Sequence, residues 1–328
     1  MYPYDVLPGQ SVENYITHAL HTDKYAWVEK NCYIDVYIEL IHALGMEPLA
    51  MLPFTLAVDF CGDQWTFFKP QLQEMRDLYG VNVQEMCFWR TLSEHCIEHL
   101  PNQRAISVEA DAFWLPDTFG TDYRKQHTKT TIIIVKFDPD QQRLTYFHNA
   151  SLHQLQDEDF RQIFKIGVES SADYLVPYAE LIHLNRLEPG STEQLLEKST
   201  QLLRRYLQLI PNSNPVLIYA ERFSRDLPLM QEKGIAYYHL WAFNNTRQLG
   251  AAFELAAAYL QWLTDGGVND FSPAIESFKK ISSDNKALIL KVARAVNSNR
   301  ALDLQESFQN MAKDWEEGMS FLKKTLPL

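Results

Sequence analysis

The chain has 328 residues, 46% apolar and 22% charged, with a net charge of −12. That is enough for one large or two ordinary domains with a sizeable core, and the acidic balance argues against nucleic acid as a partner, which needs a basic face. Four cysteines are too few for a disulfide scaffold, the start Met1-Tyr-Pro-Tyr-Asp-Val-Leu-Pro-Gly-Gln10 lacks a signal-peptide pattern, and no uncharged apolar run approaches the ~18 residues of a membrane span. A reduced, soluble, cytoplasmic protein with no membrane partner is expected.

Residues 1–28 read as an entry segment with a short helix over Val12–Leu20. From Tyr33 to Leu44 nearly every position is apolar, and Gly45 stands where a helix closes. The exceptions, Asp35, Glu39 and His42, form one stripe at i, i+4 and i+7. A helix apolar on its other sides lies inside a domain, so that stripe must face a cleft or a partner group. Phe60–Phe68 reads as a turn followed by an aromatic strand-like run, residues 70–79 as a helix closed by Gly80, Val81–Trp89 as a short strand, and Leu92–Leu100 as a helix stopped by Pro101. The pattern then turns to β: Arg104–Phe113 alternates at period two, Leu115–Gly120 is a loop, Thr130–Phe137 is a strong strand, and Arg143–Phe147 returns after the turn at Asp138-Pro-Asp. Beyond Asp157 the signal is helical, over 157–169, 191–209, 216–232, 246–264, 272–282, 284–296 and 302–323. These elements predict an α+β protein with an antiparallel sheet in an N-terminal domain (1–175) and a helical C-terminal domain (176–328).

The chemistry concentrates in the N-terminal half. Cys32 falls in the first turn of the apolar helix, where free N–H groups and the helix dipole favour a thiolate; the plainer alternative is a buried structural cysteine. His127 stands just ahead of the long β run, a place where a cysteine hydrolase carries its base. The return strand ends in Tyr146-Phe-His148-Asn149, beside the start of the His127 strand, so Asn149 is positioned to orient the imidazole as third member of a Cys–His–Asn set. His148 and Asp138 are the alternative orienters. Gln64, in Gly62-Asp63-Gln64-Trp65, is a candidate oxyanion donor, with Asp63 beside it; the same residues also suit a self-satisfied turn. Asn31 suits either a second oxyanion donor or the helix cap.

Glu109-Ala-Asp-Ala-Phe-Trp-Leu-Pro-Asp-Thr118, His127 before a strand, Asp138, and a strand ending at His148-Asn149 together resemble the family of the N-terminal domain of butirosin biosynthesis protein H. The chain more closely resembles a bacterial family of unknown function sharing Asn31-Cys32-Tyr-Ile-Asp35, Gly62–Phe68, Leu115–Thr118, His127–Thr131, Tyr146–Asn149 and Phe243–Gln248. The first resemblance implies a papain-like fold over the N-terminal half and an acyltransferase activity. The donor would be an acyl or aminoacyl carrier protein bearing a phosphopantetheine thioester, and the acceptor a small amine. Carried over by motif, Cys32 is the nucleophile, His127 the base and Asn149 or His148 the orienter, with no metal and no resident cofactor. A cysteine peptidase or amidase with the same site, and a binding protein on a degenerate version of the fold, are the alternatives.

Two further motifs have plainer readings. His95-Cys-Ile-Glu98-His99 matches the H-x-x-E-H zinc pattern, but lacks an identifiable third ligand and also suits an exposed polar helix face. Arg247 and Glu254, on a helix otherwise this apolar, are expected to form an internal ion pair joining the two halves.

Overall fold

Asn31 starts the central helix. Its Oδ1 accepts from the backbone N–H groups of Tyr33 and Ile34, two of the donors that any helix start leaves unpaired. The helix it caps, α1 (Cys32–Ala43), belongs to a computed structural model that describes residues 2–167 and 176–326. Ile34, Val36, Ile38, Leu40 and Ile41 are fully buried, each side chain contributing roughly 1.5–3 kcal/mol through its removal from water.

The chain forms two compact units whose segments interleave. The first takes residues 1–22, 31–48 and 71–190; the second takes 23–30, 49–70 and 191–328. In the first unit the strands are β1 (Tyr4–Asp5), β2 (Asn82–Glu85), β3 (Arg104–Asp111), β4 (Lys129–Asp138), β5 (Arg143–His148), β6 (Ser151–Gln156) and β7 (Ala179–His183). They form one antiparallel sheet in the order β2-β7-β3-β4-β5-β6, with β1 beside the far end of β4. Helix α1 packs on β4, β5 and β6, while α2 (Leu72–Tyr79), α3 (Leu92–His99) and α4 (Asp157–Phe164) complete the unit. The second unit is helical: α5 (Thr192–Leu207), α6 (Pro215–Lys233), α7 (Ile235–Asn244), α8 (Thr246–Asp265), α9 (Ser272–Ser298) and α10 (Gln305–Thr325). The predicted α+β architecture, with an antiparallel sheet in the N-terminal half and a helical C-terminal half, is what the chain adopts.

Several boundaries differ. The expected helix over Val12–Leu20 is a turn at 12–14, an irregular stretch over 15–18 and a single 3-10 turn, Ala19–His21. Its polar groups are drawn away from helical pairing by Glu39, whose carboxylate accepts from the Tyr15 hydroxyl and the His18 backbone N–H and binds the His21 ring. The predicted helices 272–282 and 284–296 are one continuous α9, because Ser282 and Ser283 do not interrupt helical hydrogen bonding. Helix α7 and strands β6 and β7 were not expected, and the aromatic run after Cys61 makes only the isolated bridge Phe60–Trp65. The predicted domain edge at 175 and the end of the 157–169 helix lie outside the described residues.

Arg247 and Glu254 do not pair with each other. Glu254 accepts from the backbone N–H groups of Ala26 and Trp27 and faces the buried Lys30 ammonium at 3.8 Å. Arg247 donates to the Glu29 carbonyl and stacks on Phe243. Both residues therefore hold segment 23–30 within the second unit, and neither forms the expected bridge between halves.

Candidate functional site

The sheet register decides which side chains share a face. Glu109 pairs with Thr131 and Asp111 with Lys129 across β3 and β4, so these four point to one side. A Lys129–Glu109 ion pair at 3.0 Å agrees with that parity. The Cys32 thiol, in the first turn of α1, donates to Thr131 Oγ1 at 3.7 Å, which places it over this same face. Beyond the start of β4, His127 Nδ1 lies 2.6 Å from Asp111 Oδ2, and its ring stacks on Phe113 with centroids 4.4 Å apart. The carboxylate fixes the proton on Nδ1 and leaves Nε2 as the basic nitrogen. One face and one end of the β3–β4 pair thus carry Cys32 and Thr131, then Glu109 and Lys129, then Asp111 and His127. Among the described residues, Cys32 and His127 are not hydrogen-bonded to each other.

Asp111 was not singled out from the sequence. Its signal was its position at the end of an alternating strand; only the pairing with β4 shows that it meets His127. None of the residues proposed for the orienting role is hydrogen-bonded to His127 among the described residues. Asn149 occupies the tight turn between β5 and β6 with φ 46°, a left-handed conformation that Asn tolerates. Asp138 is the last residue of the ten-residue β4, at the end away from His127, where it accepts from the Gln141 backbone N–H and pairs with Arg143. Asn31 spends its side-chain oxygen on the helix cap, as its second reading anticipated. Asp63 and Gln64 belong to the second unit, in a turn where Cys61 N–H donates to the Gln64 carbonyl.

His148 points to the other side of the sheet. Its Nδ1 lies 2.5 Å from Asp117 Oδ2 and its Nε2 lies 2.8 Å from Thr130 Oγ1, and the Tyr146 hydroxyl donates to Asp117 as well. Thr130 and Thr131 are neighbours on β4, so their side chains lie on opposite faces. Burial would raise the Asp117 carboxyl pKa, but hydrogen bonding and charge from His148, with His153 and Tyr146, hold it below its ordinary value. This cluster is buried and ties the Leu115–Thr118 loop to the sheet.

The polar stripe of α1 faces a partner group. His21, in the entry segment, binds Asp35 through Nε2 at 3.0 Å and Glu39 through Nδ1. All three side chains are buried. A second buried carboxylate, Glu180 on β7, accepts from the hydroxyls of Tyr33, Tyr37 and Tyr178. Burial first, and then the charge of Glu180, raises the Tyr33 pKa far above its ordinary value, so the hydroxyl stays a donor. Among the described residues no group of three or more His, Cys, Asp and Glu side chains is placed to hold a metal ion, and no helix is long and apolar enough to cross a membrane.

Fold and site together define an α+β protein in which a thiol-bearing helix packs on an antiparallel sheet, followed by a helical half. The chain belongs to the two-domain DUF1839 family, whose function is unknown: the DUF1839 N-terminal domain matches residues 16–184 and the DUF1839 C-terminal domain residues 192–324. No curated protein matches it. Neither domain match points to the acyltransferase resemblance.

Proposed function

We propose that the N-terminal half is a papain-like catalytic domain and that the protein is a cytoplasmic thiol-dependent acyltransferase. The observation that supports this reading is the shared face and strand end of Cys32 and the Asp111-held His127. Cys32 thiolate attacks the carbonyl of an acyl or aminoacyl thioester, and the carrier's phosphopantetheine thiol leaves with a proton from His127. A small amine then attacks the acyl-Cys32, His127 takes the amine proton, and the thiol is regenerated. Asp111 orients the imidazole in the role first given to Asn149. His127 precedes β4 with its side chain 69% exposed, and this reading requires the imidazole to approach the sulfur when substrate binds.

The test is trapping of acyl-Cys32 by mass spectrometry after incubation with acyl-pantetheine thioesters, beside iodoacetamide labelling of the four cysteines. Selective acylation and labelling of Cys32, both slowed by His127→Ala, support the reading. Labelling of Cys61 or Cys87 at an equal rate, with no acyl adduct on Cys32, overturns it. A binding protein on the same frame is the second reading, favoured by the Cys32 hydrogen bond to Thr131 in place of His127. Transfer of the acyl group to water in place of an amine, or cleavage of a peptide or amide in place of the thioester, would assign a hydrolase.

A further inference from the structure

Along α3 and the start of β3 the first unit gathers positive charge. Arg104 begins β3, and its Nη1 lies 3.5 Å from His99 Nδ1. The His99 ring stacks on that of His95, with centroids 5.7 Å apart and planes 5° from parallel. His95 meets Phe88 and Trp89 edge-on, and the Arg90 guanidinium stacks on Trp89 at 4.8 Å. Across the sheet, Arg104 pairs with His183 of β7, whose charge environment includes Arg186. An acidic chain has thus placed Arg90, Arg104, His95 and His99 along one run of contacts, with His183 beside Arg104 in the sheet. The site lies away from Cys32: Arg104 and Asp111 are opposite ends of β3, about 23 Å apart at strand rise.

Several buried nitrogen atoms of these groups have no hydrogen-bond partner. His95 is only 3% exposed, yet neither ring nitrogen is bonded, and Nε of both Arg90 and Arg104 is buried and unbonded. Buried polar atoms are nearly always satisfied, so clustered unbonded nitrogens on cationic and imidazole side chains mark a place suited to an anion. The nearby carboxylates do not fill this role. Glu94 is committed to the α3 start, accepting from Thr91, and Glu98 lies 3.6 Å from Arg90 through an exposed contact. Beside the cluster, Trp89 carries the Arg90 guanidinium on its ring and is 78% exposed.

We propose that this cluster binds a phosphate monoester, with Arg90 and Arg104 as the fixed cations, His95 as a donor that gains its proton when the anion arrives, and Trp89 as the face for a ring carried by the phosphate. Burial, and then Arg90, lower the His95 pKa, with Glu94 opposing them. Burial, His95, Arg104 and Arg90 do the same to His99, against Glu98. Without ligand both rings are therefore neutral near pH 7. A bound dianion reverses the sign of the local field, so at a pH where the phosphate stays dianionic its binding takes up a proton on the histidines.

Imidazole NMR and calorimetry on the full chain test this, with inorganic phosphate and adenosine monophosphate as probes in phosphate-free buffer. A saturable shift of the His95 signals, with net proton uptake on binding near pH 8, where both probes are dianions, supports the site. Arg90→Gln and Arg104→Gln should each weaken phosphate by about tenfold or more, and Trp89→Ala should weaken the nucleotide alone. The wild-type His95 titration needs no variant to fold. No shift at His95 with either probe, or affinity for both that Arg90→Gln leaves unchanged, overturns the proposal. Loss of inorganic phosphate binding in Trp89→Ala overturns the role given to the ring.

Discussion

At Asp111 a change of one atom separates orientation from bulk. Asp111→Asn keeps the shape and the strand position but removes the charge that fixes the His127 proton on Nδ1. Under the proposed chemistry, acyl transfer should fall by about a hundred- to ten-thousandfold, with the fold intact. Circular dichroism beside single-turnover acylation reads both; unchanged transfer would remove Asp111 from the mechanism. Gly80 is a residue of the other kind, held by backbone geometry alone. It ends α2 with φ 72°, and a Cβ there would lie 2.1 Å from the Arg186 carbonyl oxygen. Gly80→Ala should therefore destabilise the protein by about 2–4 kcal/mol, read as a lowered urea midpoint, without changing Cys32 labelling.

Helix α1 shows how one element's polar face determines the path of another. Asp35 and Glu39 are buried charges that need a partner, and His21 supplies it by straddling both. Burial works against the charged imidazole, but the hydrogen bonds and charges of Asp35 and Glu39 outweigh it, so the His21 pKa is raised in the fold. Its contribution is fully present below the unfolded value near 6.5 and is lost as pH rises through the folded pKa. Stability of the wild type should accordingly decline as pH rises above about 6.5, and His21→Gln should flatten that slope while costing roughly 3–5 kcal/mol at lower pH. Urea titrations of both proteins at a series of pH values measure it. An identical slope in the variant would show that His21 is not the group responsible. In the second unit α8 is shaped by close approach: Gly250 leaves no room for a Cβ, which would meet the Trp27 ring at 2.4 Å.

On the scale of the molecule, the two units exchange segments along the chain. Residues 23–30 and 49–70 are enclosed in sequence by the first unit yet belong to the second. Trp27 donates to Ser282, and the Ala50 carbonyl accepts from Ser199. A chain cut after Gly190 retains these segments and loses the helices they pack on, leaving Trp27, Phe54, Phe60 and Trp65 without cover. Such a fragment should aggregate or bind a hydrophobic dye, where simple domain order would expect an independent fold. A soluble, cooperatively unfolding 1–190 fragment would show that the segments do not depend on the helical unit.

The sequence by itself determined the apolar helix with its capped start, the β hairpin after His127, the helical second half and the need of Asp35 and Glu39 for a partner. Each rests on periodicity, capping chemistry or composition, which act over a few neighbouring residues. What only the tertiary structure decided is which distant side chains meet: Asp111 with His127, His21 with Asp35 and Glu39, His148 with Asp117, and segment 23–30 with α8. A one-residue difference on β4 sends Thr130 and Thr131 to opposite faces, and strand pairing alone fixes which face α1 covers. That is why Cys32 and His127 stood out in their local settings while Asp111, which meets His127 only through register between strands, did not.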